Sequence, residues 1–359
     1  MIYYGIAAIF PLLCWGFHEW WLKQEKLNEE KKKQFKIWMV ILAILPMFLL
    51  FVLRYKYIGA DTIGYVRFFQ KEIRGYSFIE LFDQDATRFE IGFRIYVKII
   101  SLFTKNYTVF FLINGLLIFG ILLRFSLKYT DNPFLFFFLF ITLGTYAFME
   151  TGLRQALAIS ICILAMDFIK EKKFFPFLLL VILAYFFHKS ALVFLLIYPL
   201  CAIKKTDWLI FTYVILAIVF VVGFAAFQNL FNEILGYEYG IEETGNGGIF
   251  MVFVFVLCAF SMFMTFDKKV EKDKQDGQAL IVQLSLMTVV FWLLRLISRT
   301  AERISYYYIL GLYAYFAQAV EIQKDKLSEL FKWLLILASL VLFIYRGVGT
   351  EYLFFWQGA

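Results

Sequence analysis

Residues 37–53 read IWMVILAILPMFLLFVL, an uncharged apolar run that follows Lys36 and ends at Arg54. A stretch of this length and composition is typical of a helix that crosses the hydrocarbon core of a bilayer. Similar stretches recur along the whole chain, separated by polar segments. Twelve stretches are long enough to cross, or nearly cross, a bilayer, and they start near Ile2, Ile37, Tyr107, Pro133, Gly152, Phe174, Lys189, Asp207, Ile249, Ala279, Ile304 and Lys332.

The composition excludes an ordinary water-soluble domain. Hydrophobic residues make up 62% of the 359 positions and charged residues only 18%, whereas soluble domains are roughly half apolar. The sequence therefore predicts an all-α polytopic membrane protein, a single integral membrane domain over residues 1–359 with about 12 transmembrane helices. The first span lacks a basic segment before it and a small-residue cleavage site after it, so we expect it to be retained.

Loop lysines predict the orientation of the spans. Lys23, Lys26, Lys31, Lys32, Lys33 and Lys36 fill the loop after the first span, so this loop is predicted to be cytoplasmic and the N-terminus external. Later lysine clusters fall on the same predicted side. The net charge of +7 lies in these short clusters, which orient a membrane protein, and nucleic acid is not predicted as a partner.

Two long external loops are predicted, at about residues 54–106 and 228–248. The first contains a partly apolar piece, Ile91 to Phe103, which is too short and too charged to cross the bilayer. A segment of this kind predicts an interfacial or re-entrant helix.

Arginines are distributed against the usual positive-inside bias. Arg124 is the only arginine predicted inside, while the other ten, from Arg54 to Arg346, fall outside or in the outer ends of spans. A guanidinium group binds phosphate or carboxylate with two parallel hydrogen bonds, so this distribution favours an anionic ligand on the outer side. The alternative is that some of these arginines pair with lipid headgroups.

Three external residues are candidates for proton transfer. Asp61 lies in a glycine-flanked loop and Glu90 precedes the interfacial segment, so either carboxylate is a candidate general base. His188 lies between two predicted spans and is a candidate phosphate ligand or proton carrier. The alternatives are a turn role for Asp61, helix N-terminal charge complementarity for Glu90 and a structural role for His188.

The candidate anion-binding residues lie at the outer ends of later spans. Arg154 and Gln155 open a strongly apolar helix, where an arginine is costly unless it has a partner or a wet cavity. Arg295, Arg299 and Arg303 recur every four residues, so they line one face if the helix continues, as suits a diphosphate. The alternatives are a snorkelling Arg154 and a solvated stripe of arginines that is paired with Glu302 or with lipid.

Neither a metal nor a cofactor is predicted. The four cysteines lie inside apolar stretches, and the chain has only two histidines, His18 and His188. These residues cannot assemble a zinc-type cluster. The sequence also lacks a phosphate-binding glycine loop, which disfavours ATP-driven transport by this chain alone.

Four motifs in order resemble the EpsG family of Wzy-like polysaccharide repeat-unit polymerases. They cover roughly residues 50 to 200: Arg54 with Gly59-Ala60-Asp61-Thr62 and Tyr65; Glu90-Ile91-Gly92-Phe93; Arg154-Gln155-Ala156-Leu157-Ala158; and His188-Lys189-Ser190-Ala191. The resemblance implies a GT-C-like membrane glycosyltransferase at the outer face of the bacterial cytoplasmic membrane. Its donor and acceptor would be undecaprenyl-diphosphate-linked oligosaccharides, and its product a capsular polysaccharide, an exopolysaccharide or an O-antigen.

On this resemblance the arginines hold the diphosphate and a carboxylate accepts the acceptor proton. Arg154 and Arg303, with Arg299 or Arg295, are the expected diphosphate ligands, while Arg54, Tyr65 and Gln155 are further expected substrate contacts. A chain-length regulator and a flippase of the same pathway are expected partners besides the lipid bilayer. An O-antigen ligase-type transferase and a lipid-linked oligosaccharide flippase or transporter remain alternative functions.

Overall fold

The computed structural model describes residues 2–25, 28–83, 87–203, 206–223, 226, 229, 247–265, 275–322, 325–347 and 351–358. Regular structure in these residues is helical, which confirms the all-α prediction. In chain order the α-helices are α1 (Ile2–Gln24), α2 (Glu29–Leu53), α3 (Thr62–Arg67), α4 (Ile73–Gly75), α5 (Ile91–Phe103), α6 (Tyr107–Tyr129), α7 (Pro133–Thr142), α8 (Thr145–Thr151), α9 (Leu153–Lys170), α10 (Phe174–Phe187), α11 (Ile197–Leu200), α12 (Thr206–Val222), α13 (Gly248–Thr265), α14 (Gln275–Leu294), α15 (Thr300–Ser305), α16 (Ile309–Ala319) and α17 (Lys326–Tyr345).

Several of these helices are long and apolar enough to cross a membrane. Within the described ranges five qualify, namely α2, α6, α13, α17 and the Gly277–Leu294 part of α14. The pair α7 and α8 makes a sixth if the two count as one bent span. The chain is therefore a multi-pass membrane protein, and the count of twelve spans stays a prediction because α10, α16 and the segment Lys189–Leu200 are shorter.

Helix α7 lies at the centre of the fold. All of its residues, from Pro133 to Thr142, are buried, and it contacts α1, α2, α6, α16 and α17. A helix that is apolar on every side belongs inside a protein rather than at its surface. The phenylalanine-rich run of α7 therefore forms the core around which the other helices pack.

A break at Gly144 bends α7 against α8 by 64°. Gly144 has a φ of +85°, in the left-handed region that glycine adopts without steric cost. The Leu143 carbonyl next to the break accepts a hydrogen bond from Arg346 Nη1 at 3.2 Å. A broken helix at membrane depth is tolerated when another group satisfies its backbone, as Arg346 does here.

The described residues of the first loop that is predicted to be external pack as one unit, named the external unit after that prediction. A π-helical turn, Phe68–Glu72, joins α3 to α4, and a 3-10 turn, Glu80–Phe82, follows. Lys98 Nζ, from α5, donates hydrogen bonds to the carbonyls of Ile73 at 3.2 Å and Tyr76 at 2.6 Å. Buried cations that satisfy backbone carbonyls thus hold this unit together.

Helix α5 has the bounds that the apolar pattern predicts, Ile91–Phe103. Phe93 and Val97 are buried on one face, while Leu102 and Phe103 are exposed on the other. Its position relative to the membrane stays a prediction. The second predicted external loop, residues 228–248, lies outside the described residues apart from 229, 247 and 248.

Both ends of the chain meet the start of the first loop. Phe354 forms an isolated antiparallel bridge with Arg54, in which Tyr55 N donates to Leu353 O at 2.8 Å. The ring of Tyr3 contacts the ring of Phe354 with centroids 5.2 Å apart. The start of α1, the C-terminal end of α2 and residues 351–358 therefore lie side by side.

Candidate functional site

A buried ion pair joins the external unit to the membrane helices. Glu90 precedes α5, and Arg154 is the second residue of α9. Arg154 Nη1 donates to Glu90 Oε2, and the two side chains are 16% and 5% exposed. A charge this deeply buried needs a partner because desolvation is costly. The two motifs that the sequence singled out separately therefore form the centre of one site.

Aromatic side chains surround the Arg154 guanidinium. It lies over the ring of Phe89, with Cζ 5.0 Å from the centroid, and it donates a hydrogen bond to Tyr65. The Tyr65 ring contacts Phe89 and Phe93, with centroids 5.7 Å and 5.6 Å apart. Burial raises the pKa of Tyr65, so its phenol stays protonated at neutral pH. Tyr65 and Glu90 thus fix the orientation of Arg154.

His188 lies close enough to this pair to feel its charges. It follows α10, is buried, and caps the 3-10 segment Lys189–Leu196, with Nδ1 accepting from Ser190 N at 3.3 Å. Burial lowers the pKa of His188 to about 4, the cations Arg154 and Arg303 also lower this pKa, and Glu90 opposes them. The imidazole is therefore neutral at neutral pH, and the roles of His188 as a phosphate ligand or proton carrier stay predictions. Donation through a neutral ring remains open.

Gln155 connects the Arg154 motif to the late arginines. Its Nε2 donates to the backbone carbonyl of Arg303 at 2.7 Å, and the residue is buried. Because a buried amide that is bonded to backbone fixes a segment in place, Gln155 holds α15 against α9. The Arg303 side chain is exposed, and it contributes to the electrostatic field at His188. The structure thus brings Arg154, His188 and Arg303 together.

The prediction that three arginines line one helical face is wrong. Helix α14 ends at Leu294, and α15 begins only at Thr300, so no continuous helix carries them. Arg295 is buried, and its Nε pairs with Glu302 Oε2 at 2.8 Å. Arg346 Nη2 lies 3.8 Å from the same carboxylate. The alternative of pairing with Glu302 is therefore confirmed for Arg295, whereas Arg299 is exposed just before α15.

Arg54 lies in a separate buried cluster. Its guanidinium is sandwiched between the rings of Phe51 and Phe111, each centroid 4.2 Å from Cζ. Nη1 donates to the Phe51 carbonyl at 2.9 Å, and the residue is fully buried. Glu150 acts on it electrostatically, and this carboxylate accepts a hydrogen bond from Tyr4 at 2.8 Å. The structure does not bring Arg54 to the Arg154 site, and its role in binding stays a prediction.

Asp61 lies at the exposed edge of the external unit. It precedes α3, its side chain makes no capping hydrogen bond, and its backbone carbonyl accepts from Gly64 N at 3.1 Å. Its charge acts on Tyr65, which places it near the site. Asp61 thus has a solvent-facing carboxylate, whereas that of Glu90 is buried and paired.

Tyr307 is a site residue that the sequence analysis did not select. Its hydroxyl lies 3.0 Å from Ser190 Oγ, which in turn lies 3.0 Å from His188 Nδ1. The run Tyr306-Tyr307-Tyr308, which begins three residues after Arg303, was a signal that could have indicated it. Glu302 was considered only as a partner for the arginines.

A known family covers the part of the chain that forms this site. The EpsG family model matches residues 37–357, a range that contains every residue of the site. No curated protein and no solved structure matches the chain. Since the match spans most of the sequence, the chain belongs to the EpsG family and is a multi-pass membrane protein of polysaccharide biosynthesis.

Proposed function

We propose that this protein polymerises oligosaccharide repeat units that are linked to undecaprenyl diphosphate, at the outer face of the bacterial cytoplasmic membrane. The observation that carries the proposal is the buried Glu90–Arg154 pair with His188 and Arg303 beside it. The growing glycan on its lipid diphosphate is the donor. A sugar hydroxyl at the non-reducing end of a new lipid-linked repeat unit is the acceptor.

Arg154 and Arg303 hold the leaving diphosphate in this proposal. When the bond from the anomeric carbon to the diphosphate oxygen breaks, negative charge develops on that oxygen. Donors already oriented toward it lower the barrier without reorganising. Arg154 is oriented by Glu90 and Tyr65. Arg303 lies beside Arg154, and its exposed side chain supplies a second cation.

Asp61 accepts the proton of the acceptor hydroxyl as the new glycosidic bond forms. Its carboxylate is exposed and lies near Tyr65, so a sugar entering from the outside can reach it. Glu90 is buried and bonded to Arg154, so we assign it to holding that cation. The atoms balance, because the anomeric carbon gains the acceptor oxygen, loses the diphosphate oxygen, and the proton moves to Asp61.

The first prediction concerns the two diphosphate ligands. We expect Arg154→Ala and Arg303→Ala each to reduce polymer formation at least tenfold, about 1.4 kcal/mol of transition-state stabilisation. The assay would give purified protein in detergent lipid-linked repeat units and follow glycan length on a gel. Arg67→Ala is the control, because Arg67 is an exposed arginine of α3 that pairs with Glu72 rather than with a residue of the site.

The outcomes separate this function from its alternatives. Wild-type polymerisation by both variants would overturn the diphosphate assignment. A ligase would transfer glycan to a different acceptor, such as a lipid A core, rather than to a second repeat unit. A flippase or transporter would lengthen no glycan in detergent, where there is no membrane to cross. Reconstitution with a chain-length regulator and a flippase would test these two proposed partners.

A further inference from the structure

A chain of buried hydroxyl groups reaches His188 from the segment that follows Arg303. Ser190 Oγ lies 3.0 Å from His188 Nδ1 and 3.0 Å from the Tyr307 hydroxyl. His188, Ser190 and Tyr307 are all buried. This chain joins the start of the 3-10 segment Lys189–Leu196 to the turn between α15 and α16, across 117 residues of sequence.

The backbone determines the direction of these hydrogen bonds. The N–H of Ser190 can only donate, and it points to His188 Nδ1 at 3.3 Å. Nδ1 is therefore the unprotonated nitrogen, and the Ser190 hydroxyl also donates to it. The Ser190 oxygen is then left to accept from the Tyr307 hydroxyl. In a neutral imidazole the proton must consequently be on Nε2.

We propose that Ser190 and Tyr307 are positioning residues that hold His188 in a single neutral tautomer, with its proton on Nε2. The inference rests on the proposed function only for the reaction whose pH profile is measured. The charges of Glu90 at the start of α5, Arg154 in α9 and Arg303 in α15 act on the ring. Fixing the tautomer keeps the imidazole uncharged, with its proton on one defined nitrogen, among these charged groups.

The hydroxyl chain has a consequence for pH. Donors to Nδ1 bond only the neutral ring, because protonation removes the lone pair that accepts them. They therefore act with burial to lower the pKa of His188, which is about 4. Removing them raises this pKa toward the ordinary value near 6.5. Activity should then fall at a higher pH on the acid side, because a cationic imidazole no longer presents the same tautomer.

The test reads the tautomer directly by NMR. The chain has two histidines, so protein labelled with ¹⁵N-histidine gives two imidazole spin systems, which His18→Gln and His188→Gln assign independently. In the wild type we expect His188 to carry its proton on Nε2 and to show a hydrogen-bonded Nδ1 from pH 5 to pH 8, a range that we choose above its pKa. Ser190→Ala and Tyr307→Phe should shift the Nδ1 signal toward that of a nitrogen that accepts no hydrogen bond.

Matched variants control for general loss of structure. Tyr308→Phe removes the neighbouring buried hydroxyl, which donates to Val193 O at 2.5 Å, and should leave the His188 signals unchanged. Ser190→Thr keeps the hydroxyl and should restore both the Nδ1 signal and the acid limb of the activity profile. A wild-type His188 with its proton on Nδ1 would overturn the proposal. So would Ser190→Ala and Tyr307→Phe spectra that match Tyr308→Phe.

The NMR and activity measurements distinguish a failure of the positioning role from a failure of the polymerase function. If the tautomer is as expected but no variant or wild-type protein lengthens glycan, the positioning stands and the polymerase function fails. If wild-type protein polymerises and Tyr307→Phe does so with an unchanged pH profile, polymerase function stands and the positioning role fails.

Discussion

At the residue scale, Glu90 and Arg154 lie 64 positions apart and meet only through packing. Their sequence motifs selected each as a candidate for chemistry, but no spacing rule places one beside the other. Arg54 shows the same limit, because its motif is shared with Asp61 while its guanidinium is enclosed by Phe51 and Phe111. Residue type was therefore predictable, whereas partners depended on three-dimensional contacts.

Breaking the Glu90–Arg154 pair should destabilise the protein according to which partner remains. Glu90→Ala leaves a buried guanidinium without its carboxylate, and we expect a loss of about 3–5 kcal/mol in the free energy of unfolding. Glu90→Gln keeps an acceptor for Arg154 Nη1 and should lose less. The double variant Glu90→Ala with Arg154→Leu should recover much of the loss, because neither charge of the pair remains buried.

Thermal unfolding in detergent measures these differences. Glu29→Ala is the control, since Glu29 pairs with Lys32 at the surface, where an ion pair contributes little. If Glu90→Ala unfolds at the wild-type temperature, the pair does not stabilise the fold and its burial has another cause.

At the element scale, regular patterns were predictable and interruptions were not. The partly apolar piece from Ile91 to Phe103 predicted the bounds of α5, because polar residues flank it on both sides. The run from Pro133 into α8 stays apolar across Gly144, so nothing in its hydropathy marks the 64° bend. Likewise, four-residue spacing of Arg295 and Arg299 predicted one face, but the helix stops at Leu294.

Helix α5 should lie in the outer headgroup layer with its exposed apolar end in lipid. Leu102 and Phe103 are exposed and follow the buried Phe93 and Val97 face. A spin label or bromide attached to lipid at a known depth should quench a fluorophore at Phe103→Cys strongly. A label at Tyr57→Cys, an exposed position at the start of the same unit, is the comparison.

Equal quenching of both positions by shallow and deep labels would contradict an interfacial helix. Strong quenching of Phe103→Cys by deep labels alone would instead indicate the re-entrant arrangement that the sequence also allowed.

At the whole-molecule scale, composition alone predicted the membrane class and the helical architecture. Hydropathy works well here because a spanning segment must satisfy its own backbone, so few structures are possible. The number of crossings was less predictable, because short apolar segments such as α10 and Lys189–Leu200 have the composition of membrane spans. Their lengths depend on the turn at His188, which belongs to the site.

The bridge between Arg54 and Phe354 determines whether the chain from Tyr3 to Phe354 crosses the membrane an even or an odd number of times. Tyr3, Arg54 and Phe354 lie together, and a chain whose two ends reach one face of a bilayer must cross it an even number of times. If the N-terminus is external, alkaline phosphatase fused to either end should be active, because this enzyme is active only outside the cytoplasm. A fluorescent protein that fluoresces only in the cytoplasm should be dark at either end. A fluorescent C-terminal fusion together with an external N-terminus would require an odd count and refute this parity.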